Sequence, residues 1–180
     1  MSQKMSIEEF ERVALLPENA DRRLEYIGGE LVEVLLPFST AVISTSIAAA
    51  IAKYVHEDHL GYVTGAQGGY KVSGERYLPN MAFSSKARHP KFPSETWVSF
   101  APDLVVEMDS PSRRVSEIAD KIANYLLAGT LVWYVCPDQA QVKVYQPGQA
   151  VKTLWIDDVL DGGDMLPGFK LTLKDIFADD

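Results

Sequence analysis

Residues 101–137 read APDLVVEMDSPSRRVSEIADKIANYLLAGTLVWYVCP, and they decide the fold. The segment opens with LVVEM, an apolar run of strand length. Val115, Ile118, Ile122, Tyr125 and Leu126 then recur at helical spacing, with Ser112 placed to cap the helix and Gly129 to stop it. A second apolar run, LVWYVC, closes the unit. Strand, helix, strand with almost unbroken apolar strands is the pattern of a sheet buried on both faces.

Glu107 interrupts the first run. A buried carboxylate is costly unless it is paired, binds a metal or sits at the open end of its strand. Glu107 is at the exit of the strand, where sites in such sheets lie. Asp103 shares its face but is about 13 Å away, too far for both to hold one ion directly. Asp109 shares that face at about 7 Å. Lys121 lies in the following helix, one residue before Ile122 of the apolar stripe. Spacing alone fits a lysine at a helix edge that snorkels to water. Its ammonium could instead reach back toward the strand end.

Around this unit, MSIEEFERVALL reads as a helix capped by Ser6, with Glu9 at the capping-box position. RLEYIGGELVEVLLP is a hairpin about Gly28-Gly29, flanked by Glu25 and Glu30. Residues 40–57 carry apolar residues at helical spacing and form a core helix. YVTGAQGGYKVS and YLPNMAFSS are short strands, and the strand holding Asn80 starts at Pro79. KARHPKFPSETWVSF is a loop. QVKVYQPG and VKTLWI are further strands, and MLPGFKLTLKDIF ends in a strand-like stretch and a short helix. The fold class is α/β, more closely an α+β mixed central sheet flanked by helices, in a single domain over residues 1–180.

Composition bounds the function. Hydrophobic residues at 47% and charged residues at 23% are those of a globular chain. No apolar run approaches the roughly 20 residues of a membrane span, and MSQKMSIEEF lacks a signal-peptide core, so a cytoplasmic location with no membrane partner is expected. Cys136 is alone and is expected to be a buried thiol. A net charge of -8 excludes an indiscriminate nucleic-acid coat. Residues 71–91 nevertheless hold Lys71, Arg76, Lys86, Arg88 and Lys91 against one acid, Glu75. That segment is either a solvated loop or a basic lip that meets phosphates. His56 and His59 fit a solvated helix end, and the P-loop and GxSxG patterns are absent.

RLEYIGGELVEV, YLPNMAF, the stretch from residue 101 to PG at 147–148, and LPGFKLTLKDIF together resemble one family. It is the small putative restriction endonuclease family, a domain-of-unknown-function group abundant in photosynthetic bacteria, within the PD-(D/E)XK nuclease superfamily. The resemblance implies a restriction-endonuclease-like core with a Mg²⁺ or Mn²⁺ site at one edge. By that analogy Glu107 is the second acid of the motif, and Lys121 is a lysine moved from the strand into the helix. Asp109 stands where the superfamily lysine usually sits. Glu25 matches an accessory glutamate of the early strand. Asn80 stands where the family has the aspartate of its PD pair. A histidine often found near the start of the long helix is missing from LPFSTAVIS.

The expected function is metal-dependent hydrolysis of DNA phosphodiester bonds. Glu107, Asn80 and Asp109 would face the metal, Lys121 and Glu25 would assist, and Lys71, Arg76, Lys86 and Arg88 would face DNA. An amide supplies an oxygen but no charge, so Asn80 weakens the site unless Asp103, Asp109 or Glu25 compensates. The alternative is an inactive nucleic-acid-binding or self-associating protein on the same scaffold. The family's likeness to dimeric restriction enzymes implies a homodimer.

Overall fold

The computed structural model describes residues 4–111 and 113–177. In chain order the elements are α1 (Ile7–Ala14), β1 (Leu24–Ile27), β2 (Glu30–Glu33), α2 (Phe38–Glu57), β3 (Gly61–Gly65) and β4 (Gly69–Val72). Then come β5 (Glu75–Tyr77), β6 (Met81–Ser85), β7 (Trp97–Val98), β8 (Leu104–Met108), α3 (Val115–Leu127) and β9 (Leu131–Cys136). The chain continues through β10 (Gln141–Tyr145), β11 (Lys152–Leu154), β12 (Val159–Asp161), β13 (Lys170–Thr172) and α4 (Lys174–Phe177).

Two sheets dominate. The central one is mixed and six-stranded, in the order β11-β10-β9-β8-β6-β3. Its β8 and β9 run parallel, as the α3 crossover between them requires. The second is five-stranded, β2-β1-β5-β4-β7, and carries the N-terminal hairpin at its edge. Gly28 and Gly29 both take positive φ, 60° and 88°, which lets a two-residue turn join β1 to β2.

Period-2 alternation along β8 sorts the core. Leu104, Val106 and Met108 face α2, where they pack with Ile47, Ile51 and Val55. Val105 faces α3, with Ile118, Ile122 and Tyr125. Glu107 is on that second side, in phase with Val105. The hairpin sheet packs there too, through Ile27, Tyr70 and Tyr77. A third cluster seats Phe10 of α1 on Leu24, Tyr26, Leu78 and Trp97.

Several expectations change. YLPNMAFSS is not one strand: Glu75–Tyr77 belongs to the hairpin sheet and Met81–Ser85 to the central one, with Pro79 and Asn80 between. The crossing is stable because the Leu78 N–H is taken up by the Glu25 carboxylate, 2.6 Å away, and Pro79 has no N–H to satisfy. The supposed loop after Lys86 contains β7, a short parallel partner of β4. Helix α3 starts at Val115 with Arg114 as its N-cap, and Ser112, the expected cap, lies outside the described residues. Val115 opens the helix at 87% exposure and is not part of the buried stripe. Helix α2 has 20 residues and a best 18-residue window of mean hydropathy 1.4, so by length and composition it could cross a membrane, contrary to expectation. Here one stripe of it, including Ile47, Ile51 and Val55, packs on the central sheet.

Candidate functional site

The site forms where β1, the β5–β6 crossing, the end of β8 and the first turns of α3 meet. Glu25 is fully buried in β1. Its Oε1 accepts from Lys121 Nζ at 2.6 Å as well as from Leu78 N–H, and its Oε2 accepts from Arg113 Nη2 at 2.9 Å. Burial pushes its carboxyl upward, but Lys121 and Arg113 outweigh that and hold it below the usual carboxylate range.

Lys121 does not snorkel. It is 1% exposed, because α3 lays its stripe on the sheet and Lys121 sits one turn from Ile118 and Tyr125. Its ammonium bridges Glu25 and Glu107, 2.6 and 2.7 Å away, and lies 5.2 Å from the centre of the Tyr77 ring. Glu107 Oε1 also accepts from the Tyr125 hydroxyl at 3.2 Å. Burial, followed by the charges of Glu107 and Glu25, raises the Tyr125 phenol well above its ordinary value, so it stays a proton donor. Glu107 Oε2 is buried and has no hydrogen-bond partner.

Asn80 faces this oxygen's strand. Met81 pairs with Val106 at the end of the antiparallel β6–β8 ladder, so Asn80 stands just beyond it, at the level of Glu107. Its Oδ1 accepts from Met108 N–H at 3.1 Å, while its buried Nδ2 has no partner. A third buried atom, Arg113 Nη1, is likewise unpartnered. Unpaired buried polar atoms are rare, and three of them in residues surrounding one carboxylate mark a place built for polar company.

A cleft of about 510 Å³ lies between the hairpin, the start of α2 and the β3–β4 turn. Asn80 lines it together with Arg22, Arg23, Ser44 and Ala66. The Arg23 guanidinium is pinned to the carbonyls of Ala66 and Leu78 at 3.2 and 3.0 Å. Burial lowers its pKa, opposed by the charges of Glu25 and Glu107.

Glu25, Glu107 and Lys121 therefore meet directly, with Asn80 at the level of Glu107. Asp109 points elsewhere: its Oδ1 accepts from the Tyr134 hydroxyl at 2.7 Å and from Ser110 N–H at 2.9 Å. Asp103 caps the far end of β8, taking Ser85 N–H and Arg88. Arg76 is withdrawn from the phosphate-facing set. It is buried in β5, between β1 and β4, and its Nε donates to Glu11 of α1 at 2.6 Å. Lys71 sits 4.0 Å from the same glutamate, whereas Lys86 and Arg88 stand exposed on the loop after β6. Sequence reasoning missed Arg113, Arg23 and Tyr125. The Arg113-Arg114 pair directly after the acidic strand was the available signal for the first.

The donor set for a divalent cation is small. Among the described residues no three His, Cys, Asp or Glu side chains are grouped to hold a metal ion. Two buried carboxylates, Glu25 and Glu107, already balance two buried cations, Lys121 and Arg113. What remains is Glu107 Oε2 and the second lone pair of Asn80 Oδ1. One carboxylate oxygen and one amide oxygen are a sparse, buried donor set, at the lower limit of the one or two carboxylates by which Mg²⁺ is held besides substrate phosphate.

The site is thus a buried carboxylate–lysine cluster at the end of a mixed sheet. The chain belongs to the Uma2 family, described as "Putative restriction endonuclease", whose model matches residues 7–174. Its fold is that of a putative nuclease of the DUF820 group from Anabaena variabilis, with TM-score 0.82 over 96% of this chain and 97% of that one, at 22% identity. No match was found among proteins of curated function.

Proposed function

We propose that this chain is a metal-dependent endonuclease acting on DNA, with activity weakened by Asn80. The observation that carries the reading is Glu107 Oε2, a buried carboxylate oxygen with no partner, in a residue at the level of Asn80. Glu107 Oε2 and Asn80 Oδ1 would hold the cation. When bound, Mg²⁺ or Mn²⁺ would neutralise phosphate charge and sharpen a water as nucleophile.

The chain's own groups supply the rest. Lys121 holds Glu107 Oε1 and Glu25 Oε1, which fixes the carboxylates and leaves Oε2 free. Arg113 Nη1 is a fixed donor without a partner and offers a hydrogen bond to a phosphate oxygen. Tyr125 stays protonated and keeps its bond to Glu107. Arg23 lines the cleft beside Asp21 and the Arg22–Glu33 ion pair, and would be the guanidinium nearest an entering strand. With Asn80 in place of a carboxylate, the chain would offer a cation one carboxylate oxygen and one amide oxygen, and substrate phosphate would supply the remaining charge.

Plasmid nicking with Mn²⁺ tests this, compared between wild type, Asn80→Asp and Glu107→Gln. The expected order is Asn80→Asp above wild type, and Glu107→Gln without activity. Nicking that survives Glu107→Gln would refute the assignment. A second reading, a binding protein without hydrolysis, draws on the complete pairing of Glu25 and the amide at position 80. It predicts activity in Asn80→Asp alone.

A further inference from the structure

A second cavity, about 280 Å³, opens where β3 and β6 meet β4 and β7, at the junction of the two large sheets. Its walls are aromatic: Tyr62, Tyr70, Phe92 and Phe100. Tyr62 and Phe92 meet edge-on at 5.2 Å, and His89 stacks on Phe100 at 3.6 Å, so these rings are held in place. Ser84 lines the cavity, is 2% exposed, and turns its hydroxyl toward that of Tyr70. Beside it, the Thr64 and Tyr70 hydroxyls share one hydrogen bond at 2.9 Å and keep unused capacity. Gly68 lets this wall close up, because a Cβ there would lie 2.6 Å from Thr64.

The rim is charged. Lys86 Nζ lies 5.9 Å over the Tyr62 ring, and Lys91 and Arg88 are exposed on the same loop. Arg88 is partly neutralised by Asp103, and Glu95, an acceptor, lines the mouth. A fitting ligand is flat, apolar on its faces, hydrogen-bonding at its edge and joined to an anion. The volume is just under the range of about 300–1,000 Å³ for small-molecule pockets, room for one ring system.

We propose that this cavity takes a single unstacked nucleobase of a bound strand, an inference that rests on the nucleic-acid reading above. The β3–β4 turn joins the two sites. Gly65 and Ala66 line the cleft that holds Asn80, and Gln67 and Gly68 line the aromatic cavity. Ser84 also follows Asn80, the residue before β6, by four positions, about 13 Å along the chain. A strand crossing that turn puts a phosphate in the cleft and a base, a few nucleotides on, between the rings. Lys86 and Lys91 then meet its backbone.

The test uses the full chain in EDTA, so that binding is read without cleavage. Fluorescence anisotropy follows a short single-stranded oligonucleotide and versions with one abasic position placed in turn. One abasic position should weaken wild-type binding about 5- to 150-fold, the range for one stacked base. Tyr62→Ala/Phe92→Ala should weaken the intact oligonucleotide by a similar factor and leave that abasic version unchanged. Both side chains are at the surface, and an unaltered circular dichroism spectrum checks the fold. Equal loss on both oligonucleotides, or no loss, overturns the base pocket while wild-type binding and nicking keep the nuclease reading intact. Saturation by adenosine monophosphate as tight as the oligonucleotide's would make it a free-nucleotide site and also overturn the proposal. If wild type binds no oligonucleotide but nicks plasmid with Mn²⁺, the base pocket falls and the nuclease reading stands; if it does neither, both fall.

Discussion

Replacing Lys121 with methionine keeps the volume of the stem and removes one buried charge. Glu107 then loses its ion-pair partner among the described residues, and Glu25 retains Arg113 alone. Breaking a buried pair by deleting one partner costs about 3–5 kcal/mol, because an uncompensated charge stays inside. For a chain of this length each kcal/mol moves Tm by about 2–4 °C, so Lys121→Met should lower Tm by roughly 6–20 °C. The pH dependence carries a sign. In the wild type, Glu25 is held below its unfolded value, so its contribution is present above about pH 4.3 and is lost as pH falls through the folded pKa. In Lys121→Met the largest lowering influence on Glu25 is gone while its burial and Arg113 remain, so this pH-dependent contribution shrinks. The gap between the two proteins should be widest near pH 7 and narrow toward pH 4. Urea unfolding, followed by the fluorescence of buried Trp133, measures both quantities. A loss below about 1 kcal/mol, typical of an exposed pair, or a gap that does not change with pH, would refute the buried triad.

Asn80→Asp should raise Mn²⁺ affinity at least about tenfold in calorimetry, since a second carboxylate joins Glu107. Tyr125→Phe should cost about 1 kcal/mol in urea unfolding, one hydrogen bond to a carboxylate that Lys121 still holds. Lys86→Ala should reduce the salt dependence of DNA binding by about one phosphate contact, read as the slope of log K against log salt. Arg76→Ala should leave that slope unchanged and lower stability, because Arg76 is tied to Glu11.

Local signals were legible where one segment determines them. Gly28-Gly29 announces its turn, and the apolar stripe of residues 118–126 announces α3. The break at Leu78–Asn80 was hidden because it depends on a side chain 53 residues away: Glu25 replaces a ladder partner for Leu78 N–H. Lys121 looked like a helix-edge lysine for the same reason, its partner Glu25 lying 96 positions earlier. The basic segment 71–91 divides in the fold, with Arg76 drawn inward by Glu11 of α1 and Lys86 left outside. Glu107 could be singled out because a charge inside an apolar strand demands an explanation wherever its partners lie. That Glu25 would be consumed by two cations could not, since charge balance in a core is a property of packing.

The claim that Glu107 Oε2 awaits a cation is tested most directly in crystals soaked with Mn²⁺, using the anomalous signal of the metal. A peak within about 2.0–2.2 Å of Glu107 Oε2 and facing Asn80 is predicted, stronger in Asn80→Asp. A map with no peak at Glu107 in either protein would contradict the metal-dependent reading.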